Sequence, residues 1–293
     1  MDTAGYAGPD GSGEFHEAYD KVMAAWPAGT EPLTVPTPYG DTHLNVCGPP
    51  EGPPLLLLPG GRSTSASWFA NAGALGRTHR VYAADLTGDP GRSVPGGRPL
   101  RTVDDLRVWL DALLDGLGVA VTDLAGHSYG GWIALNYALR APGRVRRLVL
   151  VDPTQCFAGF RAGYLLHALP MLLRPSAHRV RAFLRWETGG APLDPDWLRL
   201  QEAAAGYPSA RPVTGPRPSA GELRALDVPV LLLTAGDSRT HDPRKVAARA
   251  TALLPRVETA VLPDVSHHAL PHGSAAELNR RTAVFLSGGR AAG

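Results

Sequence analysis

The chain has 293 residues, 44% of them hydrophobic and 19% charged, so it can bury a large core and is not a disordered segment. Lys and Arg number 29 against 27 Asp and Glu, a net charge of +2 carried by singly scattered side chains, which excludes the clustered basic face of a nucleic-acid binder. Two cysteines, Cys47 and Cys156, cannot build a disulfide framework and match no metal-ligand spacing, so buried thiols are expected, with no metal and no cofactor.

Residues 1–12 are rich in Gly, Asp and Pro and are expected to fray. They carry acids where a secretory leader has basic charge, and no stretch approaches the ~18 apolar residues of a membrane span. A soluble, cytoplasmic protein with no membrane partner is expected. Residues 14–26 place Phe15, Ala18, Val22 and Trp26 at helical spacing, ended by Pro27. Residues 33–38 and 42–47, joined by Tyr39-Gly40-Asp41, predict an antiparallel hairpin. The pattern then changes. Continuous apolar runs at 55–58, 80–84, 122–125, 148–151, 228–234 and 259–262 are interspersed with helix-like stretches at 103–117, 129–140, 243–254 and 275–286. Unbroken runs suit strands buried on both faces. The alternation predicts an α/β fold, a doubly wound, mostly parallel sheet of about eight strands.

One gap interrupts the alternation. After Pro153 come apolar helical segments at 164–173, 180–186 and 197–205 and a Pro-rich stretch at 207–218, with no strand-like run before Ala225. About 70 residues is too long for a structureless connection. A helical cap insertion at 153–222 is expected over one end of the sheet, dividing the core into 1–152 and 223–293. Phe157, Phe160, Tyr164, Leu165, Leu169, Met171, Leu172, Phe183 and Trp186 should pack on the main domain, some of them roofing a pocket at the carboxyl edge of the sheet. The arginines of the insertion (161, 174, 179, 181, 185 and 199) are expected to face solvent.

The sharpest feature is Val121-Thr-Asp-Leu-Ala-Gly126-His127-Ser128-Tyr129-Gly130-Gly131-Trp132, where a strand runs into Gly126-x-Ser128-x-Gly130 and a helix follows at once. That context fits a nucleophile elbow. Ser128 would sit on a strained turn with its hydroxyl above the strand end. Glycines at 126 and 130 would remove side chains that collide as strand and helix close together, and the helix N-terminus would set free N–H groups beside a developing oxyanion.

On these residues the chain resembles the α/β-hydrolase superfamily. Leu55-Leu-Leu-Leu-Pro59-Gly60-Gly61 resembles the family's oxyanion loop after its third strand, with proline in place of the usual histidine. Ala84-Asp85-Leu-Thr-Gly88-Asp-Pro-Gly91-Arg-Ser93 resembles its Asp-x-x-Gly-x-Gly-x-Ser loop, and 148–153, 229–236 and 263–267 fall where the family has its sixth strand, seventh strand and histidine loop. The resemblance covers 33–288 apart from the insertion. It implies an oxyanion hole built from the backbone N–H groups of Gly61 and Tyr129, and a general base in Pro263-Asp264-Val265-Ser266-His267-His268. The family spacing points to His267, with His268 turned aside toward sheet or solvent and His127 a packing or hydrogen-bonded residue.

The acid departs from the pattern, because Arg239 stands where the family carries an aspartate. Three carboxylates remain open: Asp152 at the end of the sixth strand, Asp237, and Asp242, whose position before Pro243 also suits a helix cap. Asp152 is the preferred candidate. Arg62-Ser63-Thr64-Ser65-Ala66-Ser67-Trp68 reads as capping and turn chemistry before a polar lining of the site, with Arg62 solvated. The resemblance implies a serine esterase in which Ser128, His267 and Asp152 cleave a carboxylic ester, thioester or lactone of a medium-sized, largely apolar small molecule through an acyl-enzyme. A cofactor-free lyase, perhydrolase or acyltransferase on the same fold, or a non-catalytic receptor, are the alternatives.

Overall fold

The computed structural model describes residues 11–289. The expectation for 1–10 lies outside them, whereas Gly11 and Ser12 do not fray but open helix α1 (Gly11–Met23). Strands β1 (Glu31–Thr37) and β2 (Gly40–Cys47) form the expected hairpin. There follow β3 (Pro54–Leu58), α2 (Phe69–Leu75), β4 (Arg80–Ala84), β5 (Val94–Pro95), α3 (Val103–Gly116), β6 (Thr122–His127), α4 (Tyr129–Arg140) and β7 (Val145–Val151). The insertion supplies α5 (Ala162–Leu173), α6 (Ala177–Glu187) and α7 (Pro195–Ala204), and α8 (Ala220–Ala225) leads back to the sheet. The chain closes with β8 (Val230–Ala235), α9 (Pro243–Leu253), β9 (Val257–Leu262), α10 (Leu270–Gly273) and α11 (Ala275–Leu286).

The strands lie in the order β1-β2-β4-β3-β6-β7-β8-β9. From β4 to β9 every neighbouring pair is parallel, and only β2 pairs antiparallel, with β1, β4 and β5. The ninth strand, β5, pairs Val94 and Pro95 with Asp41 and Gly40 and is too short to leave a period in the sequence. The strand order reverses at β3, between β4 and β6, and open sheets of this kind bind ligands beyond the carboxyl ends of the strands at such a switch point.

The unbroken apolar runs are explained by the two faces they serve. Leu56, Leu58, Leu124, Leu148 and Leu232 pack with Trp109 of α3 and Leu135 of α4. Leu55, Leu57, Val149 and Leu231 pack on the opposite face with Leu75 of α2 and Phe285 of α11. Each fully buried leucine contributes about 1.5–3 kcal/mol. A capping box between Thr102 and Asp105 sets the start of α3. Helix α1 lays Phe15, Tyr19 and Val22 against Leu200 and Ala204 of α7, so the start of the chain braces the cap.

Candidate active site

Ser128 sits between β6 and α4 with φ 53 and ψ −114, a left-handed conformation that L-residues avoid at a cost of about 1–3 kcal/mol. The turn closes only on glycine: a Cβ on Gly126 would stand 2.3 Å from the Gly130 carbonyl oxygen, and one on Gly130 would stand 2.4 Å from that of Pro59. The Ser128 Oγ is thereby held 2.8 Å from His267 Nε2, on the loop after β9. The Nδ1 of the same ring lies 2.7 Å from Asp152 Oδ2, just past β7. His267 and Asp152 are fully buried. Burial alone would push the Asp152 carboxyl up, but the neighbouring His241 and His267 outweigh it and hold the group well below the usual carboxylate range. An ionised carboxylate only accepts, so Nδ1 carries the proton and Nε2 accepts from the Ser128 hydroxyl.

The other carboxylates do different work. Asp242 Oδ1 accepts from the backbone N–H groups of Arg244 and Lys245 and caps α9. Asp237 is exposed, and its backbone N–H donates to the Val265 carbonyl. Two partners of this arrangement were not singled out in the sequence. His241 Nε2 lies 2.9 Å from Asp152 Oδ1, which also accepts from the Ala235 N–H at 3.1 Å. Glu187, the last residue of α6 and 1% exposed, accepts from the Ser266 hydroxyl at 2.8 Å and from the backbone N–H groups of His267 and His268 at 3.0 and 3.3 Å. A histidine in the loop that lacks the usual acid was the one available pointer to His241. Nothing in the sequence pairs Glu187 with a loop 80 residues away.

Burial drives the His127 pKa down to about 3, so its neutral Nε2–H donates to the His267 carbonyl at 3.0 Å. His268 does not turn to sheet or solvent. Its ring stacks on Tyr164 of the cap, 6.4 Å between centroids, and its Nε2 lies 3.2 Å from the Tyr164 hydroxyl.

Gly60 and Gly61 lie against the elbow: a Cβ on Gly60 would be 3.2 Å from His127 Nδ1, and one on Gly61 would be 3.4 Å from Tyr129 Cβ. Tyr129 opens α4, where the first N–H groups have no intrahelical acceptor. Asp85 organises the neighbouring loop by accepting from Ser65 and from the Arg92 N–H, each at 2.7 Å.

Above Ser128 lies a cavity of about 470 Å³, roofed by Tyr164, Leu165, Met171, Phe183, Trp197 and Val213. Its polar end holds Arg62, Ser63, Ser67, Asp89 and Gln201. Of the segment from Arg62 to Trp68, Arg62, Ser63 and Ser67 line the cavity, with the Ser63 and Ser67 hydroxyls 2.6 Å apart. Turn bonds from the Ser63 N–H to Gly60 and from the Ser67 N–H to Thr64, with the Ser65 bonds to Asp85, are the expected turn chemistry, while Thr64 makes no side-chain cap bond. Arg62 is not solvated but half-buried, its guanidinium donating to Ser209 Oγ at 2.6 Å. Leu165, Leu169 and Leu172, expected to pack on the core, are 47%, 46% and 55% exposed.

Comparisons with known proteins place the fold in a family. Carboxylesterase YbfK of Bacillus subtilis (strain 168) is 30% identical over 298 residues, 99% of each chain. The uncharacterized carboxylesterase nap of the same strain is 28% identical over 263 residues, 86% of each chain. The crystal structure of carboxylesterase CesB (YbfK) superposes with a TM-score of 0.89, covering 96% of this chain and 100% of that one. The naproxen esterase (carboxylesterase NP) of Bacillus subtilis superposes at 0.86 with 27% identity, covering 95% and 99%. With residues 55–281 also matching the Alpha/beta hydrolase family, this chain belongs to that family.

Proposed function

We propose that the protein is a serine esterase that hydrolyses a carboxylic ester, thioester or lactone of a medium-sized, largely apolar small molecule. One observation carries the reading: the continuous relay from Ser128 Oγ to His267 Nε2 at 2.8 Å and from His267 Nδ1 to Asp152 Oδ2 at 2.7 Å. Ser128 attacks the acyl carbonyl while His267 takes its proton, and Asp152 holds the imidazole in the required tautomer and stabilises the imidazolium. The N–H groups of Gly61 and Tyr129 receive the oxyanion. His267 then protonates the leaving group, and water, deprotonated by the same ring, releases the acid. The apolar roof of the cavity supports the substrate class, and the two esterase relatives support ester over other acyl chemistry. A cytoplasmic location is part of the reading, supported by two buried, unpaired thiols, Cys47 and Cys156.

The test is Ser128→Ala. Hydrolysis of p-nitrophenyl butyrate should fall by about 10⁴-fold or more, and labelling by a fluorophosphonate should vanish while the fold persists. Retained turnover in the variant removes Ser128 from the chemistry. Labelling of the parent protein without turnover of any ester redirects the reading to a lyase or acyltransferase.

A further inference from the structure

Helix α5 reads Ala-Gly-Tyr-Leu-Leu-His-Ala-Leu-Pro-Met-Leu-Leu, with no Asp, Glu, Lys or Arg. A helix apolar around its whole circumference belongs inside a protein. Here Ala168 is the one residue of α5 that is buried. Leu166 and Leu173 are 68% and 71% exposed, and Leu165, Leu169 and Leu172 about half exposed. The other large apolar side chains exposed among the described residues, such as Leu33 and Val121, are scattered singly. A contiguous apolar patch of this kind marks an interaction site.

The charge around the patch names the partner. From Pro153 to Trp186 the sequence holds no acidic residue. Arg161, before α5, lies 3.9 Å from the Asp242 carboxylate, whereas Arg174, which ends α5, and Arg179, in the first turn of α6, face no acidic group among the described residues. A second copy of the chain is a poor occupant, because α5 offers no acidic side chain to meet Arg174 and Arg179 of the other copy. An apolar strip with a positive end matches a surface that is hydrocarbon within and negative at its rim. We propose that α5 with Arg174 and Arg179 docks the protein on an anionic lipid–water interface, with α5 lying in the interface plane. No helix among the described residues is long and apolar enough to cross a membrane, and a helix lying in the surface need not be. Leu165 and Leu172 also line the cavity, so the docked face and the cavity wall are two sides of one helix, and an apolar ligand passes from lipid to cavity along it.

Co-flotation of the full chain with phosphatidylglycerol–phosphatidylcholine vesicles tests this. The protein should float with these vesicles at low salt, and less with pure phosphatidylcholine or at high salt. Leu166→Asp with Leu173→Asp should cut the partition coefficient by about tenfold or more, and Arg174→Gln with Arg179→Gln by about fivefold per charge. None of these four side chains lines the cavity, so both double variants should hydrolyse a dissolved p-nitrophenyl ester at the parent rate. Ser128→Ala should float like the parent, so failure of the esterase reading would leave this readout intact. Absence of flotation, or flotation indifferent to both double variants, would overturn the proposal. So would a dimer that the two aspartates dissociate in a protein that ignores vesicles.

Discussion

At the scale of single residues, the Asp152 carboxylate is held on both sides. One oxygen serves His267 and the other His241, whose own Nδ1 is buried without a partner. A buried, charge-assisted hydrogen bond of this kind is worth about 1.5–3 kcal/mol. His241→Ala should therefore lower kcat by about 10- to 100-fold with KM little changed, and His241→Gln, which restores a donor, should recover part of it; steady-state kinetics on a soluble ester decide. The approach of Ser128 and His267 was legible in the sequence, because the elbow is dictated locally by glycine spacing and a strand-to-helix join, and the histidine loop has a recognisable order. Asp152 was legible only as the preferred one of three carboxylates. Its bonds to His267 and His241 span 115 and 89 residues, and no local pattern encodes a contact over that distance.

Among the elements, α3, α4, α9 and α11 were readable nearly to the residue, because each has a full apolar period and three have a clear start: Thr102 before α3, the elbow before α4, Asp242 before α9. Helices α2, α8 and α10, of 7, 6 and 4 residues, are too short to show a period and went unseen. Distance along the chain hid Glu187, which joins α6 to the histidine loop 80 residues on through three accepted hydrogen bonds. A glutamine of the same shape turns one acceptor into a donor facing donors. Glu187→Gln should cost about 1–3 kcal/mol of stability, read as a lower midpoint in urea. It should also lower kcat for soluble esters more than it raises KM, since the loop it anchors carries His267; a variant that only melts earlier, with kinetics intact, would make Glu187 a purely structural contact.

Over the whole molecule, acid should be the weak side of the stability profile. Three histidines near the site are held neutral mainly by burial: His127 down to about 3, His272 down to about 4, and His268 well below the ordinary value. The unfolded chain protonates them near pH ~6.5 and the folded chain does not, so it binds fewer protons. Stability is complete above that pH and is lost progressively as the pH falls toward the folded values. His272 alone accounts for about 2 kcal/mol at about pH 5. Its ring nitrogens have no partners and it packs on Phe69 and Trp197, so His272→Phe should fit and should shrink the fall in Tm between about pH 7.5 and pH 5 by about 2–4 °C. A fall of unchanged size would show that this ring is protonated in the folded protein. The bracing of the cap by α1 has a consequence of its own. On the ribosome α1 emerges with Phe15, Tyr19 and Val22 uncovered and meets Leu200 and Ala204 only after about 180 further residues have been made. Throughout that interval a greasy face waits for its roof, and this is the stretch of synthesis at which a holding chaperone has something to grip.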